Sequence, residues 1–404
     1  MTEQSEFRAP AELNSIRTIA LGIGGIGLIV WAIGLYFDTE QALRSWLLGF
    51  ILWAGIGFGG IGVLLLQYLT GGAWGVVIRR VAEACARSIP VLLLVFLPIA
   101  LGMTRLYEWT HLPATDHIMV QRGWFMTPES WLLRSAVYFI IFGVMAYLLC
   151  KWSADQDKTD NYEASAALLG RATVFSGPTM VIYCIFVTFA SVDWVMTLDP
   201  HYFSTIWGLL FVAGWGLSSF CFGVIVLAYM SDKAPMDRVL GRRHFHDIGK
   251  LMLALTMIWA YFNFSQFLII WSGNIPEEAE WFLVRMTGGY GYISWSLVIL
   301  HFAVPFLILL QQDFKRRAKQ LALLAIFMLF MRLVDMFFLI GPTPRIDTHG
   351  LAQGAFILSW MDIVAPIAIG GIFVWYFLGQ YMSRPLVPVM DPFLENAIEH
   401  GHGH

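Results

Sequence analysis

The stretch "SVDWVMTLDPHYFST", residues 191–205, closes one apolar run and opens the next, yet it carries Asp193, Asp199 and His201. Three titratable groups between two hydrophobic segments make sense only once the class of the chain is known. The chain has 404 residues, 58% hydrophobic and 13% charged, with a mean hydropathy of +0.67. Water-soluble domains carry roughly 25% charged residues, so most of this surface is expected to face lipid. Ten apolar runs of about the length that spans a bilayer as a helix follow one another: 16–36, 46–69, 88–106, 131–150, 173–195, 203–230, 249–271, 289–311, 320–340 and 358–382. Helix is the expected form, because lipid offers the backbone no hydrogen-bond partners, and the runs are too long and continuous for barrel strands. The expectation is an all-α integral membrane protein. A tail of residues 1–15 precedes a ten-helix domain, 16–382, and a His-containing tail, 383–404, follows it. The leader "MTEQSEFRAPAELNSIR" is acidic and long for a signal peptide, so the first run is expected to be a retained helix.

Lys and Arg set the expected orientation. Eighteen fall on the side of the two tails and the even-to-odd loops, counting Arg79, Arg80 and Arg87 as loop residues, and five on the other side. Arg134 and Arg332 lie inside runs. The excess predicts both termini in the cytoplasm and places 191–205 at the outer surface. It also explains the basic face without nucleic acid.

The four cysteines show no CxxC, CxxCH or iron–sulfur spacing, and His301 is the one histidine at clear mid-membrane depth. A bis-His haem needs two, so no haem, iron–sulfur cluster or other metal is expected to be bound by this chain alone. The ending "EHGHGH" reads as a disordered polar tail.

The chain also resembles itself. "QYLTGGAWGVVIRR" (67–80) parallels "AYMSDKAPMDRVLGRR" (228–243), and "VDWVMTLDP" (192–200) parallels "VDMFFLIGP" (334–342). Two four-helix units, about 46–195 and 203–340, are expected in the same orientation, with two peripheral helices. Asp193 and Asp335 then occupy equivalent places. A carboxylate inside the bilayer costs several kcal/mol, roughly 2.5–3.5 on insertion scales, unless it is paired. Asp335 has Arg332 three residues before it on the same helix face; Asp193 has no opposite charge in its own run, so it either takes a partner from elsewhere or is protonated for part of its life. Each such group has a bland reading beside the functional one: buried ion pairs often do no more than hold helices together. Asp199 suits a turn before Pro200, and His201 belongs at the interface. His301 precedes Pro305 by four residues, so its carbonyl loses a helical donor. Asp362 opens the last run. Together Asp193, Asp199, His201, His301, Arg332, Asp335 and Asp362 read as a candidate proton pathway; no catalytic residue and no cofactor-binding set is assigned.

The pair "DWVMTLDPHYFSTIWG" (193–208) and "LHFAVPFLILLQQDFKRR" (300–317) resembles the membrane subunits of alternative complex III, which belong to the NrfD or polysulfide reductase-like family. The length and short polar N-terminus suit the smaller subunit type, ActF. The resemblance implies a bacterial inner-membrane, multi-pass subunit of a quinol:electron-acceptor oxidoreductase. Its implied partners are a multihaem cytochrome c, an iron–sulfur subunit, a second NrfD-like membrane subunit, a monohaem cytochrome c, small membrane subunits and lipids. The haems and iron–sulfur clusters lie in those partners. Proton conduction, and a site for a quinone such as menaquinone, are the roles implied for this chain. The alternatives are an ion- or proton-coupled transporter, which discontinuous helices and an inverted repeat would favour, and a passive anchor for peripheral redox subunits.

Overall fold

The computed structural model describes residues 7–346 and 356–403. Within them the chain is helical, with no strand. Eleven long elements and one short terminal helix organise it: α1 Glu12–Phe37, α2 Thr39–Thr70, α3 Ala73–Ala86, α4 Ile89–Leu101, α5 Pro128–Gln156, α6 Tyr162–Trp194, α7 Trp207–Met230, α8 Arg242–Gly273, α9 Gly288–Leu310, α10 Ala318–Ile340, α11 Met361–Met382 and α12 Leu394–His402. Nine of these, among the described residues, are long and apolar enough to cross a membrane. This is a multi-pass, all-α membrane architecture.

The tenth expected span differs from the reading of the sequence. The run 88–106 forms only the 13-residue α4, about 20 Å long at the helical rise of roughly 1.5 Å per residue, too short for a hydrocarbon core of about 30 Å. Pro90 sits in its first turn, where a missing N–H is tolerated but helix from the preceding residues is interrupted. The chain bends by 40° between α3 and α4, and the two are long and apolar enough for a tenth span when taken together.

Local signals fix the helix starts. Asp38 accepts from Gln41 N at 2.9 Å, Thr127 from Ser130 N at 3.2 Å and Asn161 from Ala164 N at 2.7 Å, each satisfying an otherwise orphaned backbone donor. Asn274, at φ 48°, ends α8 in the left-handed conformation.

α2 and α7 pack against each other at the centre. α6 packs on both, α10 packs on both from elsewhere, α5 lies on α6, α8 on α7, and α9 on α8 and α10; α1 and α11 pair tightly and lean on α2. Close approach at the centre depends on Gly59, where a Cβ would stand 2.3 Å from the Trp215 carbonyl oxygen.

Two sequence expectations are corrected on the side of the basic loops. Arg79 and Arg80 are buried in α3 rather than exposed in a loop, because carboxylates reach them: Arg79 pairs with Asp391 at 2.6 Å, and Arg80 with Glu83 at 2.8 Å and Asp157 at 2.5 Å. The tail is docked, not disordered. Residues 394–402 form α12, held by His244 Nε2 to the Ala397 carbonyl at 2.8 Å, His400 to Asp247 at 2.9 Å and His402 to the Arg238 carbonyl at 3.0 Å.

Candidate functional site

The titratable residues singled out in the sequence fall into separate places. α6 ends at Trp194 with Asp193 in its last turn, completely buried. Arg134, one turn into α5, donates to both carboxylate oxygens, Nε to Oδ2 at 2.8 Å and Nη2 to Oδ1 at 2.9 Å. Tyr138, one turn further along α5, donates its hydroxyl to Oδ2 at 2.5 Å. The Asp193 carbonyl accepts from Trp131 Nε1 at 2.8 Å and Thr197 Oγ1 at 2.7 Å. Arg134 is satisfied in turn by the Phe125 carbonyl and Ser130 Oγ, and its guanidinium lies 3.6 Å from the centre of the Phe125 ring. Every charged atom of this pair has a partner, in the bidentate geometry that suits guanidinium and carboxylate best. The partner that Asp193 needed is thus Arg134, 59 residues away.

The turn that follows is structural in form. Asp199 Oδ1 accepts from His201 N at 3.2 Å, an Asx turn. His201 is exposed. Tyr202 is buried, stacked on Trp281 with ring centres 4.4 Å apart, and its hydroxyl accepts from Gln266 Nε2. Glu108 lies close enough to Asp199 to feel its charge; burial and then that charge raise the Glu108 carboxyl above its usual range. Asp362, at the start of α11, accepts from Gln41 Nε2 at 2.9 Å and Ser45 Oγ at 2.6 Å, both on α2, and from Ser359 N at 2.9 Å.

His301, Arg332 and Asp335 come together. All three are fully buried. His301 lies within a π-helical segment, Leu297–Ala303, which closes with Val304 N–H bonding the Ile299 carbonyl five residues back. Pro305, lacking an N–H and clashing with the carbonyl four residues earlier, is the local cause. A π turn widens the helix there, a feature that recurs at functional sites. The widened turn sets the imidazole edge-on to Trp259 of α8, ring centres 4.2 Å apart at 82°. Trp259 Nε1 donates to Asp335 Oδ2 at 3.1 Å, and Arg332 Nη1 bonds the same oxygen. The second carboxylate oxygen, Oδ1, has no partner, nor do Arg332 Nε or either ring nitrogen of His301. The room for the guanidinium comes from Gly214 of α7, where a Cβ would lie 2.3 Å from Arg332 Nη2.

Four buried polar atoms without a partner in one cluster are unusual, since buried polar atoms are nearly always paired. Polar sites of this kind recruit bridging water where there is room for it. The arrangement holds an acid, a neutral-capable base and a fixed cation, with no nucleophile.

Arg134, Tyr138, Trp259 and Gly214 were not assigned a role from the sequence. Arg134 carried the one available signal: a second charge inside an apolar run, opposite in sign to Asp193.

No family model matches the chain, and no characterised protein matches it.

Proposed function

We propose that this chain is a proton-conducting membrane subunit of a quinol:electron-acceptor oxidoreductase of the alternative complex III type, with the His301–Asp335 cluster as its conducting element. The observation that carries this reading is the cluster itself: an acid and an imidazole, each with unpartnered polar atoms, buried where one helix opens into a π turn. Asp335 Oδ1 is the open acceptor for a proton. Arg332 stays cationic and keeps the other oxygen occupied, so gain and loss of the proton leave the carboxylate in place. His301 takes a proton on one ring nitrogen and releases one from the other, the property that makes imidazole a relay. Asp193, saturated by Arg134 and Tyr138, acts as a clamp between α5 and α6 in this reading.

Further support is architectural. α2–α6 and α7–α10 each close into a ring of neighbouring helices, in keeping with two four-helix units flanked by α1 and α11. In the same reading the basic-loop face, with both tails, is cytoplasmic. The redox partners, a multihaem and a monohaem cytochrome c, an iron–sulfur subunit and the second NrfD-like subunit, dock on the opposite face. Electron transfer occurs in those partners, and this chain moves protons.

The test is His301→Gln in the assembled complex, reconstituted in vesicles. The substitution keeps a polar side chain of similar reach and removes titration. The proposal expects assembly to persist and quinol-driven proton movement to fall at least about tenfold, the loss typical of removing a positioned acid–base group. Proton movement equal to wild type would contradict it.

A further inference from the structure

At the far end of α2 from Asp362, on the basic-loop face, lies a cavity of about 270 Å³. It stands between α2, α3, α6 and the segment before α12, and its wall includes Gln67, Tyr68, Leu69, Arg79, Leu169 and Phe393. The turn from α2 into α3 shapes it. Gly71 and Gly72, at φ 66° and 96°, take conformations that favour glycine. They bring Gly75 beneath Gln67 so closely that a Cβ there would stand 2.1 Å from Gln67 Cγ. Gln67 and Arg79 are 4% and 1% exposed, and each keeps one atom without a partner, Gln67 Oε1 and Arg79 Nε. One is an acceptor and the other a donor. Both atoms are buried beside the cavity, and the broad terminal torsion of Gln allows its amide to turn towards an occupant.

Charge decides what kind of occupant fits. Arg79 is neutralised by Asp391. Behind it Arg80 and Arg384 are neutralised by Glu83 and Asp157, with Arg384 Nη1 3.0 Å from Glu83 Oε2. Arg79, the cation in the cavity wall, is thus already paired, and a phosphate would have to compete with Asp391 for it. The remaining wall is uncharged, mainly apolar and aromatic with the hydroxyls of Thr70 and Thr173, and Leu69 is 42% exposed, leaving a way out for an apolar tail.

We propose that this cavity binds the uncharged head of a membrane-dissolved amphiphile, one that offers a hydroxyl to Gln67 Oε1 and an oxygen acceptor to Arg79, with its tail leaving past Leu69. Quinols and neutral glycerolipids share this chemistry. A quinol occupant would deepen the reading of the chain as a subunit of a quinol-oxidising complex and rests on it; a glycerolipid occupant does not. Either way the cavity is separate from the His301–Asp335 cluster, so binding here and proton movement there can fail independently.

The experiment is photolabelling of the complex in native membranes with an azido-decylquinol, kept in its reduced form, followed by peptide mapping. The expected label falls within residues 67–79 or 165–173. Leu169→Trp, which fills the cavity, should reduce it at least about tenfold, and Gln67→Leu about fivefold, the effect of losing one hydrogen bond. Thr173→Met narrows the same space from a half-buried position and serves if Leu169→Trp does not assemble. Protection by excess decylquinol but not by 1-monooleoylglycerol identifies a quinol site, and protection by 1-monooleoylglycerol identifies a glycerolipid site. No label in these segments, label unchanged in the assembled variants, or equal protection by the anionic lipid dioleoylphosphatidylglycerol would overturn the proposal.

Discussion

Asp193 and Asp335 sit at matching places in the sequence, each seven residues before a proline and near the end of a long helix, but their surroundings differ in kind. Asp193 meets a bidentate guanidinium and a tyrosine hydroxyl brought by the neighbouring helix α5. Asp335 meets Arg332 from its own helix and Trp259 from α8, both on one oxygen, and leaves the other without a partner, while His301, packed on the same Trp259, has no partner on either ring nitrogen. The same residue type at matching sequence positions therefore has two different surroundings. On the function proposed above, the saturated carboxylate holds helices together and the half-satisfied one takes part in proton movement. Matching positions in the sequence do not bring matching hydrogen-bond partners.

The comparison breaks most visibly at Arg134. Arg134→Met leaves the Asp193 carboxylate buried without its counter-ion, a loss of about 3–5 kcal/mol for buried pairs. Thermal unfolding of the purified complex should show a large drop in Tm or failure to assemble. A variant as stable as wild type would mean that Asp193 is not a clamp.

Gly214→Ala sharpens the other side. Its Cβ meets the Arg332 guanidinium at 2.3 Å, and overpacking of this kind costs about 1–3 kcal/mol. The expected result is an assembled complex with moderately lowered Tm and clearly lowered proton movement, since Arg332 must shift from Asp335. An unchanged rate would detach Arg332 from the conducting element.

Pro305→Ala has a smaller effect on stability. It restores the donor that the His301 carbonyl lacks and removes the cause assigned to the π turn. Tm should stay within about 1 kcal/mol of wild-type stability or rise slightly, the scale of one net hydrogen bond, while proton movement falls because the imidazole is re-aimed. Full activity in a straightened helix would show that the π turn is incidental.

How much of this was legible beforehand follows from the range of each interaction. The spans were legible because a run of apolar residues declares itself without knowledge of its neighbours. The run 88–106 was legible as apolar but not in its form, a short helix that opens at Pro90 and is bent against α3. Arg332 and Asp335 were legible as a pair because three residues separate them. Arg134 and Asp193 were not, since 59 residues and two helices intervene, although each was visible as a charge without a local partner. Trp259 and Tyr138 were hidden because an aromatic ring scores as apolar while its N–H or O–H does the bonding. Gly214 was one glycine among 37, and only the guanidinium packed on it distinguishes it. The basic side was misread for the same reason. Arg79 and Arg80 look like loop charges until Asp391, about three hundred residues on, folds back to meet Arg79, and Glu83 and Asp157 close on Arg80, and the histidine-containing tail looks free until His244 is seen to hold it.

The smallest expected effect lies at the rim. Burial and the charge of Asp199 raise the Glu108 carboxyl, so its folded-state value stands above the unfolded one. The folded state then binds this proton more readily, a contribution present below about pH 4, near the unfolded carboxyl value, and lost as pH rises through the raised folded value. Glu108→Gln should therefore raise Tm slightly between pH 7 and 8 relative to wild type, and lose that advantage near pH 4. A shift of opposite sign would show that Glu108 is held ionised.

The central claim is that the two aspartates differ in function, and one paired measurement addresses it. Quinol-driven proton movement per electron is compared in vesicles carrying the assembled Asp335→Asn and Asp193→Asn complexes, with electron transfer recorded on the same samples. The account predicts that Asp335→Asn loses proton movement at least about tenfold, the scale of a lost acid–base group. It predicts that Asp193→Asn keeps proton movement near the wild-type ratio and shows its effect in lowered thermal stability. Equal proton movement in the two variants, or loss confined to Asp193→Asn, would contradict it.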